Sequence, residues 1–196
     1  MVLGSLSELI VRSSGGFLKF RTRIQNSPNS FIKKVYMDLF YAYLNRHNSY
    51  IGLETSFKNE ALFPHEIFGV FISDLVVIGK NCVIFQNVTI GTNSLPNSRG
   101  VGSPTIGDNC IIGAGATIVG NVVIGNNCRL GANVTISKNL PSNSTAVAAE
   151  PRIIQKYNLD NTFYAMRNKK WMFYNNGKYN YVSDETILHK LNNTKH

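Results

Sequence analysis

Aliphatic side chains recur every six residues at Ile72, Ile78, Ile84 and Ile90, and again at Ile106, Ile112, Ile118, Ile124, Leu130 and Ile136. Three positions after each, from Ile78 onward, stands Asn81, Asn87, Asn93, Asn109, Gly115, Asn121, Asn127, Asn133 or Asn139. Both residue types accept left-handed backbone angles, so each hexad is expected to turn a corner there. One position further on, a small or medium apolar side chain returns as Cys82, Val88, Cys110, Ala116, Val122, Cys128, Val134 or Leu140, giving two inward residues per hexad. Neither a helical period of 3.6 nor simple alternation holds this phase. Short strands joined by tight corners, three to a coil of about 18 residues, make a parallel β-helix prism whose coils stack by backbone pairing. An all-β sandwich is the competing reading, but its strands do not recur at a fixed interval.

Ahead of the coil, Ser27-Pro28 reads as a helix cap and first turn. Ile32, Val35, Tyr36, Leu39, Phe40 and Tyr43 follow at helical spacing and form one apolar face. A shorter helical piece, Ser5 to Arg12, precedes Gly15-Gly16. The apolar face is expected to be a lid over the open end of the solenoid, with a membrane-surface or partner helix as the alternative. Behind the coil, Trp171 to Val182 reads as a hairpin around Asn176-Gly177, and Ser183 to Leu191 as a short capped helix. The expected organisation is a helical region over 1–50, a coil over 51–154 with a loop at 92–105, and a basic aromatic extension over 155–196.

The loop is where the phase breaks without being lost. Sixteen residues separate Ile90 from Ile106 in place of six, so Thr92 to Thr105 must leave the coil. A grafted loop on a rigid scaffold is expected to carry specificity.

Composition narrows the partners. The 196 residues carry a net charge of +9, but residues 61–150 are balanced at four basic against four acidic, so the excess lies at the two ends. The coil offers no recognition helix or metal knuckle, which disfavours nucleic acid and leaves anionic small molecules: phosphates of a coenzyme, or an acidic glycan. No apolar run reaches the ~18 residues that span a bilayer, and Met1 to Arg12 lacks a leader pattern, so the expected location is the cytoplasm. Cys82, Cys110 and Cys128 all occupy inward hexad positions and are expected to be buried structural thiols. Asn-x-Ser/Thr matches at Asn87, Asn133, Asn143 and Asn192 are read as chance in an Asn-rich chain.

Several stretches carry a family resemblance. They are Phe63-Pro64-His65 with Gly69-Val70-Phe71-Ile72, Ile78-Gly79-Lys80-Asn81-Cys82-Val83-Ile84-Phe85-Gln86-Asn87-Val88-Thr89-Ile90-Gly91, Gly102-Ser103-Pro104-Thr105-Ile106-Gly107-Asp108, Gly113-Ala114-Gly115-Ala116 and Pro151-Arg152-Ile153-Ile154. Over roughly residues 51–154 the chain resembles the hexapeptide-repeat acyltransferases with their left-handed coil. It is most similar to the serine acetyltransferase branch, which includes sugar O-acetyltransferases of capsule and lipopolysaccharide. The resemblance implies an acetyl-coenzyme A dependent O-acetyltransferase without a metal, working as a homotrimer whose sites are each built from two chains. It implies His65 as general base and Glu54 as the acid that orients it. It further implies coenzyme A along a coil edge at Gly91, Thr92, Ala114 and Ala132, with Lys138 and Arg152 toward its phosphates and a backbone N–H near Gly91 or Thr92 for the oxyanion.

Two departures from the family bear on the acceptor. The N-terminal region is shorter than the helical domain of typical serine acetyltransferases. The Arg-His-Pro that ends their loop is Gly102-Ser103-Pro104 here, so the histidine that helps hold serine is absent. The expected acceptor is therefore a sugar hydroxyl of a surface polysaccharide or its precursor, met by Arg99 and Ser103. Free serine is the nearer alternative; a non-catalytic scaffold and a metal-dependent hydratase are alternatives of other classes. The hydratase needs three metal-binding histidines, where the coil holds only His65.

Overall fold

The computed structural model describes residues 2–150, 152–157 and 160–193 and forms two compact units, residues 1–150 and 151–196. In the first unit the hexads close into a three-faced solenoid. The first face stacks Tyr50–Ile51, Phe71–Ile72, Thr89–Gly91, Thr117–Val119 and Thr135–Ile136 in parallel. The second stacks Ser56–Phe57, Val77–Ile78, Thr105–Ile106 and Val123–Ile124, and the third Val83–Ile84, Ile111–Ile112, Arg129–Leu130 and Thr145–Ala146. Thr117 pairs with Thr135, 135 − 117 = 18 residues on, which is one full coil. The aliphatic of each strand points inward, and Ile51, Ile72, Ile78, Ile84, Ile90, Ile112, Ile118 and Ile124 are wholly buried. The coil therefore begins at Tyr50, one turn before the repeat is visible in the sequence.

Left-handed corners lie on two of the three edges. Between the second and third faces Asn81, Asn109, Asn127 and Asn143 have φ of 55, 56, 56 and 61°. Between the third and first faces Gly69, Asn87, Gly115 and Asn133 have φ of 65, 59, 69 and 56°. On the remaining edge Asn93, Asn121 and Asn139 are not left-handed, against expectation. Instead, Gly102 and Gly120 supply positive φ there, where the loop rejoins the coil.

The second-to-third edge carries an amide ladder. Asn59 donates to Asn81, Asn81 to Asn109, Asn109 to Asn127 and Asn127 to Asn143, with Nδ2···Oδ1 distances of 3.1, 3.1, 3.2 and 3.1 Å. Directly inside it the three thiols form a second stack. Cys82, Cys110 and Cys128 each donate to a carbonyl of the next coil, at Gly107, Gly125 and Pro141, over 3.3, 3.2 and 3.2 Å. All three are buried and free. The neighbouring Cys82 thiol, together with burial, holds the Cys110 thiol far above the ordinary range, as a structural thiol requires.

Three helices close the open end at the first coil: α1 (Val2–Ser13), α2 (Phe17–Gln25) and α3 (Ser30–Arg46). α2 is absent from the sequence expectation, and α3 starts two residues beyond Pro28 because the Asn29 side chain caps the N–H groups of Phe31 and Ile32. Val11, Phe17, Phe20, Ile24, Leu39, Phe40, Tyr43 and Leu44 form the cap's own core. Buried Arg21 fastens the cap to the coil by donating to the carbonyls of Gly52, Leu53 and Thr55. The lid expectation holds for Leu39, Phe40 and Tyr43. Ile32 and Val35 at the start of α3 remain 43% and 41% exposed.

The second unit is a three-stranded antiparallel sheet, Phe163–Arg167, Lys170–Asn175 and Lys178–Tyr181, followed by α4 (Glu185–Asn193). The expected hairpin turns at Asn176-Gly177, both left-handed, and Asp184 caps α4. The first of its strands lies outside the expected hairpin. Among the described residues no helix is long and apolar enough to cross a membrane.

The amide ladder makes a two-part prediction. Asn109→Gly keeps the left-handed corner and removes the ladder bonds, an expected loss of about 1 kcal/mol. Asn109→Ala removes the same bonds but keeps a Cβ in the left-handed region without the polar side chain that lets asparagine tolerate it, adding about 1–2 kcal/mol relative to glycine. Chemical denaturation of the two variants should separate them in that order; equal losses would mean that corner geometry contributes nothing.

Candidate active site

The third-to-first edge changes character at the first coil. Leu62 bridges Val83, so Phe63 lies beside Ile84. From Phe63 to the next first-face aliphatic, Ile72, is nine residues, whereas from Ile84 to Ile90 is six. Three extra residues thus swell this one corner, and His65 stands on the swelling, in the strand Pro64–Ile67. Its ring is exposed, with its centroid 5.9 Å from that of Phe85 on the coil below.

The corner is held from several sides. The Glu66 N–H donates to Phe63 O at 3.1 Å, that of Val70 to Ile67 O at 3.1 Å, and that of Asn87 to Phe68 O at 3.0 Å. Gly69 cannot be replaced without strain, since a Cβ there would lie 2.1 Å from Asn87 Oδ1. A cleft of about 320 Å³ between the helical cap and this corner is lined by Arg12, Phe17, Tyr43, Phe63 and Glu66 among others. Burial, with the nearby Glu66 and Glu8 carboxylates, pushes the Tyr43 hydroxyl up to about 12, so it stays protonated. Gln86, beside Phe85, keeps a buried side-chain oxygen without a hydrogen-bond partner, the one such atom among the described residues. Below His65 on the same edge come the small corners that hold Ala114 and Ala132.

The first-to-second edge holds the other candidates. Glu54 occupies its first coil, and its N–H donates to Asp74 Oδ1 at 3.3 Å. Asp74 Oδ2 accepts from the Tyr50 hydroxyl at 2.7 Å, a bond that pushes the tyrosine up to about 12. Gly91 and Thr92 lie two coils on, where the loop departs, and Lys138 follows the last first-face strand. The loop is tied at its neck by reciprocal backbone bonds between Asn93 and Gly102, both 2.9 Å. Ser103 shares a hydrogen bond with Thr92 across the neck at 2.8 Å. The Asn93 amide also holds Ser98 and the carbonyl of Arg99, whose side chain is exposed. The Asn121 N–H reaches Gly100 O at 2.9 Å, folding the loop back on the coil.

The expected constellation therefore divides. His65, Ala114 and Ala132 share one edge; Glu54, Gly91, Thr92, Ser103 and Lys138 share another. Glu54 does not reach His65 within the chain, because the two lie on different edges of the prism. The expected orienting bond is not formed. The Thr92 N–H, expected to be available to an oxyanion, already donates to Ser73 Oγ at 3.2 Å. Arg152 belongs to the second unit and is exposed, and Pro151 beside it lies outside the described residues. Among the described residues no group of three or more His, Cys, Asp or Glu stands together as a metal set.

Residues 103–138 match the family model described as bacterial transferase hexapeptide (six repeats). A serine acetyltransferase from Synechococcus elongatus is 34% identical over 97 residues, which is 50% of this chain and 39% of that protein. One from Staphylococcus aureus (strain Mu50) is 39% identical over 95 residues, 48% of this chain and 44% of that protein. The chain thus spans less than half the length of these curated relatives. Among solved structures, serine acetyltransferase isoform 3 from Entamoeba histolytica in complex with cysteine superposes with a TM-score of 0.57 at 28% identity, covering 71% of this chain and 49% of that one. The soybean serine acetyltransferase apoenzyme does so at 0.56 and 26%, covering 76% and 57%.

The return of the loop depends on Gly120, whose φ is 89° and whose added Cβ would stand 2.7 Å from Gly100 O. Gly120→Ala should lift the loop tip off the coil while the solenoid stays folded. Trypsin cleavage after Arg99 is then expected to quicken several-fold relative to the parent chain, with circular dichroism unchanged.

Proposed function

We propose that this chain, which belongs to the hexapeptide-repeat acyltransferases in their serine acetyltransferase-like branch, transfers an acetyl group from acetyl-coenzyme A to a hydroxyl, with His65 as general base. The observation that carries the reading is the swollen corner: the coil departs from its own repeat to expose one imidazole above a row of small-residue corners. A neutral alcohol is a poor nucleophile near pH 7, and a positioned imidazole is the ordinary remedy. His65 takes the hydroxyl proton as the oxygen attacks the thioester carbonyl. Collapse of the tetrahedral adduct breaks the carbon–sulfur bond, and the imidazolium returns the proton to the leaving thiolate. Ala114 and Ala132 leave room for the pantetheine arm along the edge of His65, and Lys138 is a candidate for the phosphates. The two edges come together in one site only between two chains, which fits a homotrimer with three shared sites.

The acceptor with most support is the hydroxyl of L-serine, because the relatives and fold neighbours are named for that substrate. The sugar hydroxyl expected from sequence receives no support from them. One observation keeps it as the second reading: the neck of the loop carries Ser103, bonded to Thr92, where the branch has a histidine for serine.

Thiol release from acetyl-coenzyme A, measured with L-serine and with a panel of nucleotide-linked sugars, separates the two. Serine alone should elicit turnover on the first reading and sugars alone on the second; no turnover with either returns the chain to a scaffold role. His65→Ala is expected to lower kcat roughly 10²–10⁴-fold while coenzyme A binding and melting temperature hold.

Replacement of Thr92–Thr105 by a short turn tests the division of labour. The coil should still fold and bind coenzyme A, while acceptor use falls or broadens. Collapse of donor affinity with unchanged acceptor preference would instead assign the loop to the donor.

A further inference from the structure

The residue after the proposed base adopts a backbone conformation that its type does not favour. Glu66 has φ 55°, in the left-handed region, where the other non-glycine residues of the coil are asparagines. A β-carbon there carries a strain of order 1–3 kcal/mol, and such residues persist where the surroundings hold them. What holds Glu66 is a histidine from a different part of the chain. His47 Nδ1–H donates to Tyr43 O at 2.9 Å, and Nε2 is hydrogen-bonded to Glu66 Oε2 at 2.9 Å. The imidazole is thus tied at both nitrogens, to a backbone carbonyl on one side and to the Glu66 carboxyl on the other. His47 is only 1% exposed, with its ring 4.2 Å from that of Tyr43 and 4.6 Å from that of Phe68. Its carbonyl accepts the Gly69 N–H at 2.9 Å.

His47 thus grips both ends of the swollen corner, Glu66 by its ring and Gly69 by its backbone, and packs against Phe68 between them. Its own position is fixed by the end of α3. The Asn48 N–H bonds Asn45 O and the Ser49 N–H bonds Leu44 O, with Asn48 at φ 46°, a Schellman closure that stops the helix at His47. The helical cap therefore reaches the corner through one rigid side chain.

We propose that His47 and Glu66 are positioning residues for His65: the bond between them holds the left-handed turn that sets the direction in which the His65 imidazole projects. This rests on the reading of His65 as base. A second histidine is thus assigned a role in which it touches no substrate.

The test separates strain from grip. Glu66→Gly removes the carboxylate but adopts the same φ freely, so relief of strain offsets the lost contact and the melting temperature should stay within a few degrees. Misdirection of His65 should nevertheless lower kcat by roughly 10- to 100-fold, on the scale of a displaced catalytic group. KM for acetyl-coenzyme A should not change. Glu66→Gln, which can still accept from His47, should recover most of the rate. His47→Phe keeps the buried aromatic stack without the bond and should behave like Glu66→Gly. Rates are read by thiol release with whichever acceptor class supports turnover, alongside His65→Ala. If His65→Ala remains active, the base reading fails and this proposal with it. If His65→Ala is inactive while Glu66→Gly and His47→Phe keep full kcat, the base reading stands and the positioning role is overturned. A Glu66→Gly chain that loses rate only in step with a large drop in melting temperature also overturns it, because the pair then serves the fold alone.

Discussion

Everything in the first unit depends on coils stacking in strict register, and the column of asparagine amides enforces it. Asn81, Asn109 and Asn127 each donate to the next coil down while their backbones turn through the left-handed region, so corner geometry and inter-coil spacing are set by the same residues. The thiol column behind it adds a second set of contacts between the same coils. A scaffold tied this way leaves little freedom in its faces. Novelty can enter only where the chain leaves the repeat, and it gains residues twice: three at His65 and ten between Ile90 and Ile106.

Most of the coil was legible because a period of six is a physical constraint, not a preference: every inward aliphatic must return to the same face. The first coil lies inside the expected span but shows no repeat, because Ile51, Phe57 and Phe63 are followed by the enlarged corner, which breaks the count before Ile72. The asparagine signal looks like one rule along the sequence and serves two in the fold. On two edges the residue supplies a left-handed angle. On the third, Asn93 and Asn121 instead use their amide or backbone to tie down the loop, and glycines take the positive angles. α2 was missed because its sequence, Phe17 to Gln25, mixes Lys19, Arg21 and Arg23 with the apolar residues, and Arg21 is buried for a tertiary reason that no periodicity reveals.

The site was legible by residue type but not by arrangement. His65 was identifiable from its Phe-Pro-His context. The family resemblance implies Glu54 beside His65, yet in a three-faced coil eleven residues carry the chain round to another edge. His47 offered no local signal at all: its partners lie nineteen and more residues away, except for the carbonyl one helical turn back.

The grip of His47 on the enlarged corner has a consequence for how the molecule matures. A solenoid acquires order coil by coil, each turn templating the next, so Tyr50 to Ala146 contains all that its stacking needs. The strained angle at Glu66 is different, for it is stabilised by α3 and not by the turn beneath it. Completion of the backbone and readiness of the imidazole are therefore separate events, the second waiting on the docking of three helices that were synthesised first.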